Sequence, residues 1–196
     1  MASSAGIAGV ARSLERLLKL RFAQQEPTTG STSTKVKLVT TEDLRKGHDL
    51  PGLTIYLYRI DLNRVMRPAW SAVGFEDGCG HLPLDLHFLL TAWATDPEDE
   101  YRILGRAMEC LEATPVLTGP LLHSLNANVW SAGESVQLLV DEMPNESILR
   151  LFDLLPVKYK LSVTYLARVL RIDTHPVVPD IPVGTIVEGL VPSPTP

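Results

Sequence analysis

Residues 82–113 constrain the fold of this chain more than any other stretch, because a strand pattern is followed directly by a helix pattern. In the strand part, one side carries apolar residues and the other mostly polar ones: Leu84, Leu86, Phe88, Leu90 and Ala92 against Asp85, His87 and Thr91. This two-residue period predicts a strand with one buried face. Leu89 and Trp93 interrupt the polar side, so we expect the second face to be partly covered.

The helix part of the same stretch has an explicit beginning and end. Asp96 is a candidate cap, Pro97 suits the first helical position, and three acidic residues follow in the first turn, where the helix dipole favours negative charge. One apolar stripe then predicts the buried side, formed by Ile103, Leu104, Ala107, Met108 and Leu111. Pro115 predicts the end of the helix.

The composition is that of a soluble globular protein of one domain. The chain has 196 residues, 45% hydrophobic and 21% charged, and its net charge of −5 argues against nucleic acid as a partner. Its two cysteines, Cys79 and Cys110, favour free thiols in a reducing compartment. Charges in residues 12–19 exclude a secretory signal there, and the sequence lacks an apolar run of membrane-spanning length. We therefore expect the protein to be made in the cytoplasm, without a membrane partner.

The first residues predict an amphipathic helix on a linker. The helix spans residues 3–22, and its apolar stripe includes Ile7, Leu14 and Leu18. Its polar face mixes charges of both signs, which favours packing on its own domain or on a neighbouring subunit over a membrane surface. Residues 24–35 are polar and without periodicity, so they predict a flexible linker or an exposed loop.

Four further strands and one further helix are predicted. The strands are residues 36–41, 53–62, 134–140 and 160–172. The second and fourth of these are apolar on both sides, which favours places inside a sheet. The helix is predicted to be capped by Asn145 and stopped by Pro156, with Ile148, Leu151, Phe152 and Leu155 on its buried side.

Two irregular segments are candidates for contact with other proteins. Residues 64–81 form a loop with glycine and proline breakers, in which Trp70 either lies on a partner surface or pins the loop. Residues 175–196 contain six prolines and predict an extended arm. The arm is apolar at six positions, which favours its addition to a sheet edge or to another subunit: Val177, Val178, Ile181, Val183, Ile186 and Val187.

A search for catalytic motifs finds neither a nucleotide-binding glycine pattern nor a paired-cysteine zinc signature. His81, Asp85 and His87 could lie on one side of a strand and ligate a divalent metal, as in a metal-dependent hydrolase. In the opposing interpretation, Pro83 interrupts the row, His81 remains in the preceding loop, and Asp85 and His87 satisfy each other or a neighbouring strand. We expect no cofactor.

A second polar pair lies in an otherwise apolar predicted strand. Arg59 and Asp61 fall on the same strand face within residues 53–62. A cross-strand ion pair is the plain interpretation, because opposite charges on one face stabilise neighbouring strands. The alternative is a contact between subunits.

Three motifs carry a resemblance to a known family: IYLYRIDLNRVMRP at 55–68, LPLDLHFLLTAWATDPEDEYRILGRAMECLEATPVL at 82–117, and YKLSVTYLARVLRID at 159–173. The middle motif is specific, because the strand, the aromatic before LLTAW, the acidic turn and the LGRAM helix occur together in order. With them the chain resembles the cap, or tail-terminator, proteins of extracellular contractile injection systems, the phage-tail-like particles typified by the Photorhabdus virulence cassette and the antifeeding prophage. The resemblance covers most of residues 5–173.

The resemblance implies an α+β fold, with a largely antiparallel mixed sheet of four to five strands and flanking helices. Residues 1–175 would form one tail-terminator-like domain, and 176–196 the arm. It also implies a non-enzymatic, sixfold ring that contacts the last layers of inner tube and sheath and ends their polymerisation. The particle could stay inside the cell or be released. A baseplate or adaptor component of the same particle is the alternative.

Overall fold

The computed structural model describes residues 2–46, 48–67, 80–123, 129–130 and 133–173 of the chain. In that part of the chain, four α-helices and six strands form an α+β fold. The helices are α1 (Gly6–Gln24), α2 (Thr41–Leu44), α3 (Pro97–Glu112) and α4 (Asn145–Leu154). The strands are β1 (Lys35–Leu38), β2 (Gly52–Leu62), β3 (His81–Trp93), β4 (Val116–Thr118), β5 (Ser135–Val140) and β6 (Ser162–Asp173).

All six described strands belong to one sheet, in the order β1-β2-β3-β6-β5-β4. Only the β1–β2 pair is parallel, so the sheet is largely antiparallel, as the resemblance implied. The expectation of four to five strands was low by one, because Val116–Thr118, in a stretch expected to be irregular, pairs with β5. Three residues are too few for a period of two to be visible in the sequence.

The core lies between one sheet face and the helices α1 and α3. The alternating side of β3 is buried throughout, and Leu86, Phe88 and Leu90 are fully enclosed. Ile103, Ala107 and Leu111 of α3 cover this face together with Val10, Leu14 and Leu18 of α1. Fully burying one such side chain contributes about 1.5–3 kcal/mol, so these two helices and β3 hold the domain together.

The second sheet face is partly covered, as the interruptions by Leu89 and Trp93 predicted. Leu89 and Thr91 of β3 are buried, and so is Thr164 of β6. Phe152, the buried residue of α4, makes an edge-on ring contact with Tyr159, and the two ring centroids are 5.2 Å apart. The other expected core residues of α4, such as Leu151, are only half-buried. This helix therefore lies more loosely on the protein than its apolar pattern predicted.

Several element boundaries differ from the sequence expectations. Helix α1 begins at Gly6 instead of residue 3 and continues to Gln24. At α3, no amide among the described residues donates to the side chain of Asp96, although Pro97 takes the first turn as predicted. At α4, the cap position is held by Pro144, and Asn145 is already helical. Caps depend on local backbone geometry, which residue type alone does not fix.

The polar stretch after α1 is an ordered turn that brings β1 back against the helix. Glu26 accepts a hydrogen bond from the backbone amide of Thr34 at 2.9 Å and another from the Thr34 hydroxyl.

In α1, Glu15 is buried and pairs with Lys19 and Arg12, at 2.9 and 2.8 Å. The apolar stripe of α1 is part of the core, so the helix packs directly on its own domain.

Candidate functional site

The second face of the sheet carries a buried polar cluster centred on His87. Its Nδ1 lies 2.7 Å from Oδ2 of Asp141, the first residue after β5. Because a carboxylate only accepts, His87 donates from Nδ1. The Tyr58 hydroxyl donates to the same oxygen at 3.0 Å. The backbone of Asp141 is itself fixed to Thr164, whose carbonyl accepts from the Asp141 amide at 2.9 Å.

A β-bulge in β2 places Tyr58 within this cluster. Leu57 is paired with Phe88 and Arg59 with His87, so Tyr58 is an extra residue that has no counterpart on β3. Burial raises the pKa of Tyr58 above its ordinary value, and the nearby charge of Asp141 acts in the same direction. The phenol therefore stays a neutral donor, which is the role its bond to Asp141 requires.

Arg59 and Asp61 pair with each other and extend the cluster to the surface. Arg59 Nε lies 2.9 Å from Asp61 Oδ2, along one strand. Both also reach across to His87 Nε2 on β3: Arg59 Nη2 is at 3.2 Å and Asp61 Oδ2 at 3.3 Å. The expected cross-strand ion pair is instead an ion pair within β2, and the cross-strand partner of both side chains is a histidine.

The proposed metal ligands do not converge. His81 is the first residue of β3, where it was expected in the preceding loop, and its Nδ1 lies 2.6 Å from the Asp173 carboxylate on β6. Asp85 accepts from the Asn63 side chain at 3.1 and 3.2 Å, and His87 is bound to Asp141. Among the described residues, no set of three or more His, Cys, Asp or Glu side chains is arranged to hold a metal ion.

Among the described strands, one edge of the sheet is only partly paired. Strand β2 has eleven residues, but β1 pairs only with Gly52–Ile55. Over the second half of β2, β3 pairs on one side and no described strand pairs on the other. Ile60 and Leu62 point to the core side there, opposite buried Leu86 and Leu84, yet they are 45% and 43% exposed.

The predicted interface residues fall into three groups. Leu14 and Leu18 are fully buried in the protein's own core and are therefore not available to a partner in this fold, whereas Ile7 is half-buried at its margin. Arg59 and Asp61 lie at the incomplete edge and are about half-exposed. The remaining seven lie outside the described residues: Trp70, Val177, Val178, Ile181, Val183, Ile186 and Val187.

The sequence did not single out Tyr58 or Asp141, and it did not indicate the apolar surface of α4. Asp141 meets His87 across 54 positions of sequence, so no local pattern could reveal it. On α4, Leu149 is exposed and Leu154 is 83% exposed. Helical phase was the available signal for Leu154, which lies opposite the stripe containing Phe152. None of the described helices combines the length and apolarity that crossing a membrane requires.

Comparisons with known proteins agree with this fold. No curated protein matches the chain in sequence. Among solved structures, the chain is similar to one described as the sheath/tube terminator, in the extended state, of the PVC extracellular contractile injection system, with 18% identity and a TM-score of 0.58. The match covers 96% of this chain but only 64% of that protein. The model of the Pvc16 N-terminal domain family matches residues 9–185, and the chain therefore belongs to that family.

Proposed function

We propose that this protein is a structural cap of a contractile injection particle, which ends the polymerisation of tube and sheath at the distal end. The observation that carries the proposal is the family match over residues 9–185 together with the fold shared with a sheath/tube terminator. The proposed role needs surfaces for other proteins and no catalytic step. The protein would be made in the cytoplasm and leave it only as part of a released particle.

The surface of the domain supports such a role. Strand β2 has an incomplete edge, and α4 exposes Leu149 and Leu154. Exposed apolar side chains at an open edge and on a helix are features that a partner protein covers. A cap requires more than one such surface, since its copies must meet one another and must also meet the layers that the ring closes.

In this proposal the copies form a closed ring, which we expect to have six members, on the last layers of tube and sheath. A ring with cyclic symmetry is held by a head-to-tail interface, in which one surface of each copy meets a different surface of the next. The edge of β2 and the surface around α4 are the candidates for these contacts.

Imaging of particles made without the protein tests the proposal. Sheaths and tubes of uncontrolled length are expected, and supplying the intact protein should restore a single length. Particles of normal length in its absence would contradict the cap role. Gold labelling of intact particles gives the position: label at the distal end supports the cap, whereas label at the opposite end would favour a baseplate or adaptor component.

A further inference from the structure

Within the described part of the chain, the outer edge of β2 is open to one more strand. No backbone hydrogen bond joins residues 57–62 to any described residue on the side away from β3. Free backbone groups along a strand edge bind an extended segment by completing the ladder. The core-side residues Ile60 and Leu62 are also nearly half-exposed, because β1 ends before it reaches them. An added strand would thus gain hydrogen bonds and cover apolar surface.

The end of β6 lies at the same end of the sheet as this free edge. Asp173, the last residue of β6, is paired with His81, and Leu62 is paired with Leu84 only three residues further along β3. A strand added outside β2 would be three strand spacings from β6, or about 14 Å at about 4.8 Å each. The segment that follows Asp173 therefore starts near the edge in question.

Residues 183–191, VGTIVEGLV, have the pattern that this edge requires. The run is free of proline, and one of its two sides, Val183, Thr185, Val187, Gly189 and Val191, carries no charge. Placed beside Ile60 and Leu62, these would point to the core side. Glu188 would then fall on the opposite side, the side on which β2 presents Arg59. A single alignment therefore places the uncharged side of the run on the core side and Glu188 on the side of Arg59.

The prolines between the two elements favour a neighbouring copy as the recipient. Pro176, Pro179 and Pro182 favour a stiff, extended conformation, in which the nine residues 174–182 would span about 28 Å. This is about twice the distance to the edge of the same copy. A stiff connection of that length is better suited to reaching the next subunit than to folding back.

We propose that residues 183–191 of one copy add as a strand to the free edge of β2, residues 57–62, in the next copy. The proposal rests on the proposed function, which places copies side by side in a ring. The strand exchange would then link each subunit to its neighbour, with Ile60 and Leu62 as the apolar contacts and Arg59 as the partner of Glu188.

Cysteine cross-linking of the purified full chain tests the pairing. Ile60→Cys protein is mixed with Val187→Cys protein, both with Cys79 replaced by serine, and treated with a short bismaleimide. We expect a product of twice the monomer mass at a yield at least about tenfold above that of a matched pair, Tyr101→Cys with Val187→Cys, because strand addition raises the effective concentration of the two groups. Tyr101 is exposed on α3, away from the edge.

Other outcomes overturn the proposal. A doubly substituted chain that cross-links only within itself would show that the strand adds to its own copy. Equal yields for both pairs, on purified protein and on particles, would mean that another protein covers the edge or that Arg59 and Asp61 keep it open. Particles of normal length that form no cross-link would reject the strand addition and leave the cap role intact. A cross-link in protein that does not control particle length would support the strand addition and contradict the cap role.

A proline in the added strand provides a second measurement. Val187→Pro removes a backbone donor and should abolish the slow hydrogen exchange expected, in the concentrated protein, for those amides of residues 57–62 that point away from β3. Ser193→Pro introduces the same residue outside the run and should leave that protection unchanged. Identical exchange in both variants and the unmodified protein would overturn the pairing without any need for cross-links.

Discussion

The imidazole of His87 and the carboxylate of Asp141 lie 2.7 Å apart and join the centre of the sheet to the segment between β5 and α4. Tyr58 on β2 donates to the same carboxylate. Three separate parts of the chain thus meet at one oxygen. Because His87 is buried and Tyr58 is half-buried, the carboxylate satisfies groups that water reaches poorly.

Asp141→Ala is therefore expected to destabilise the domain. The substitution leaves the donors of His87 and Tyr58 without their acceptor, and a buried donor left unsatisfied costs about 1–3 kcal/mol. Urea unfolding followed by circular dichroism measures the loss. The control is Asp153→Ala, which removes an exposed carboxylate from α4 and should shift the midpoint little. Equal effects of the two substitutions would show that the cluster does not stabilise the fold.

The sequence predicted the positions of β3 and α3 well because both have strong periods, although Met108, expected on the buried side of α3, is exposed and Cys110 is buried instead. It could not predict the His87 cluster, since the partners of His87 come from β2 and from the residue after β5. In the sequence, His81, Asp85 and His87 resembled a set of metal ligands, because a single sequence shows which residues share a strand but not which strands lie beside it. Each of the three has a different partner on another part of the chain. Pairing between distant strands, which a single sequence does not show, decided their roles.

Substitutions at Leu18 and Leu20 distinguish a role of α1 in the core from a role at an interface. Leu18 is fully buried, whereas Leu20 on the same helix is 53% exposed. Leu18→Ala should lower the free energy of unfolding by about 2–5 kcal/mol, as expected for a cavity in a packed core. Leu20→Ala should change it by less than about 0.5 kcal/mol. Chemical denaturation of both variants checks the difference, and a small effect of Leu18→Ala would return that residue to the interface candidates.

Glu15 makes the stability of the domain sensitive to acid. Its burial alone would raise the carboxyl pKa, but hydrogen bonds from Lys19 and Arg12 outweigh burial, and the pKa of Glu15 lies below its ordinary value. A carboxyl with a lowered pKa in the folded state contributes stability above its unfolded pKa of about 4.3, and the contribution is lost as the pH falls through the folded value.

Glu15→Gln should consequently be less stable than the unmodified protein at pH 7, and the difference should shrink as the pH is lowered below about 4.5. Urea midpoints measured between pH 7 and pH 3 give the two curves. Glu142→Gln, at an exposed position, is the control and should run parallel to the unmodified protein. Parallel curves for Glu15→Gln as well would mean that its ion pairs do not stabilise the fold.

Two helical glycines give opposite expectations for the same substitution. At Gly9 of α1, an added Cβ would lie 2.5 Å from the Trp130 ring, which is itself held by a 2.8 Å bond from its Nε1 to the carbonyl of His123. At Gly105 of α3, the same atom would meet nothing within 4 Å. Gly105→Ala should therefore stabilise the protein by about 0.5–1 kcal/mol through helix propensity.

Gly9→Ala has the same gain in propensity, but it forces Trp130 from its place over α1. Overpacking of this kind typically costs about 1–3 kcal/mol, so the clash should outweigh the gain and the variant should be less stable than the unmodified protein. Thermal unfolding compares the two variants, and a change in tryptophan fluorescence that occurs in Gly9→Ala but not in Gly105→Ala would report on Trp130, since Trp70 and Trp93 are common to both. A Gly9→Ala protein as stable as Gly105→Ala would mean that the ring can move away at no cost, and that the close approach at Gly9 is not what holds residues 129–130 against the helix.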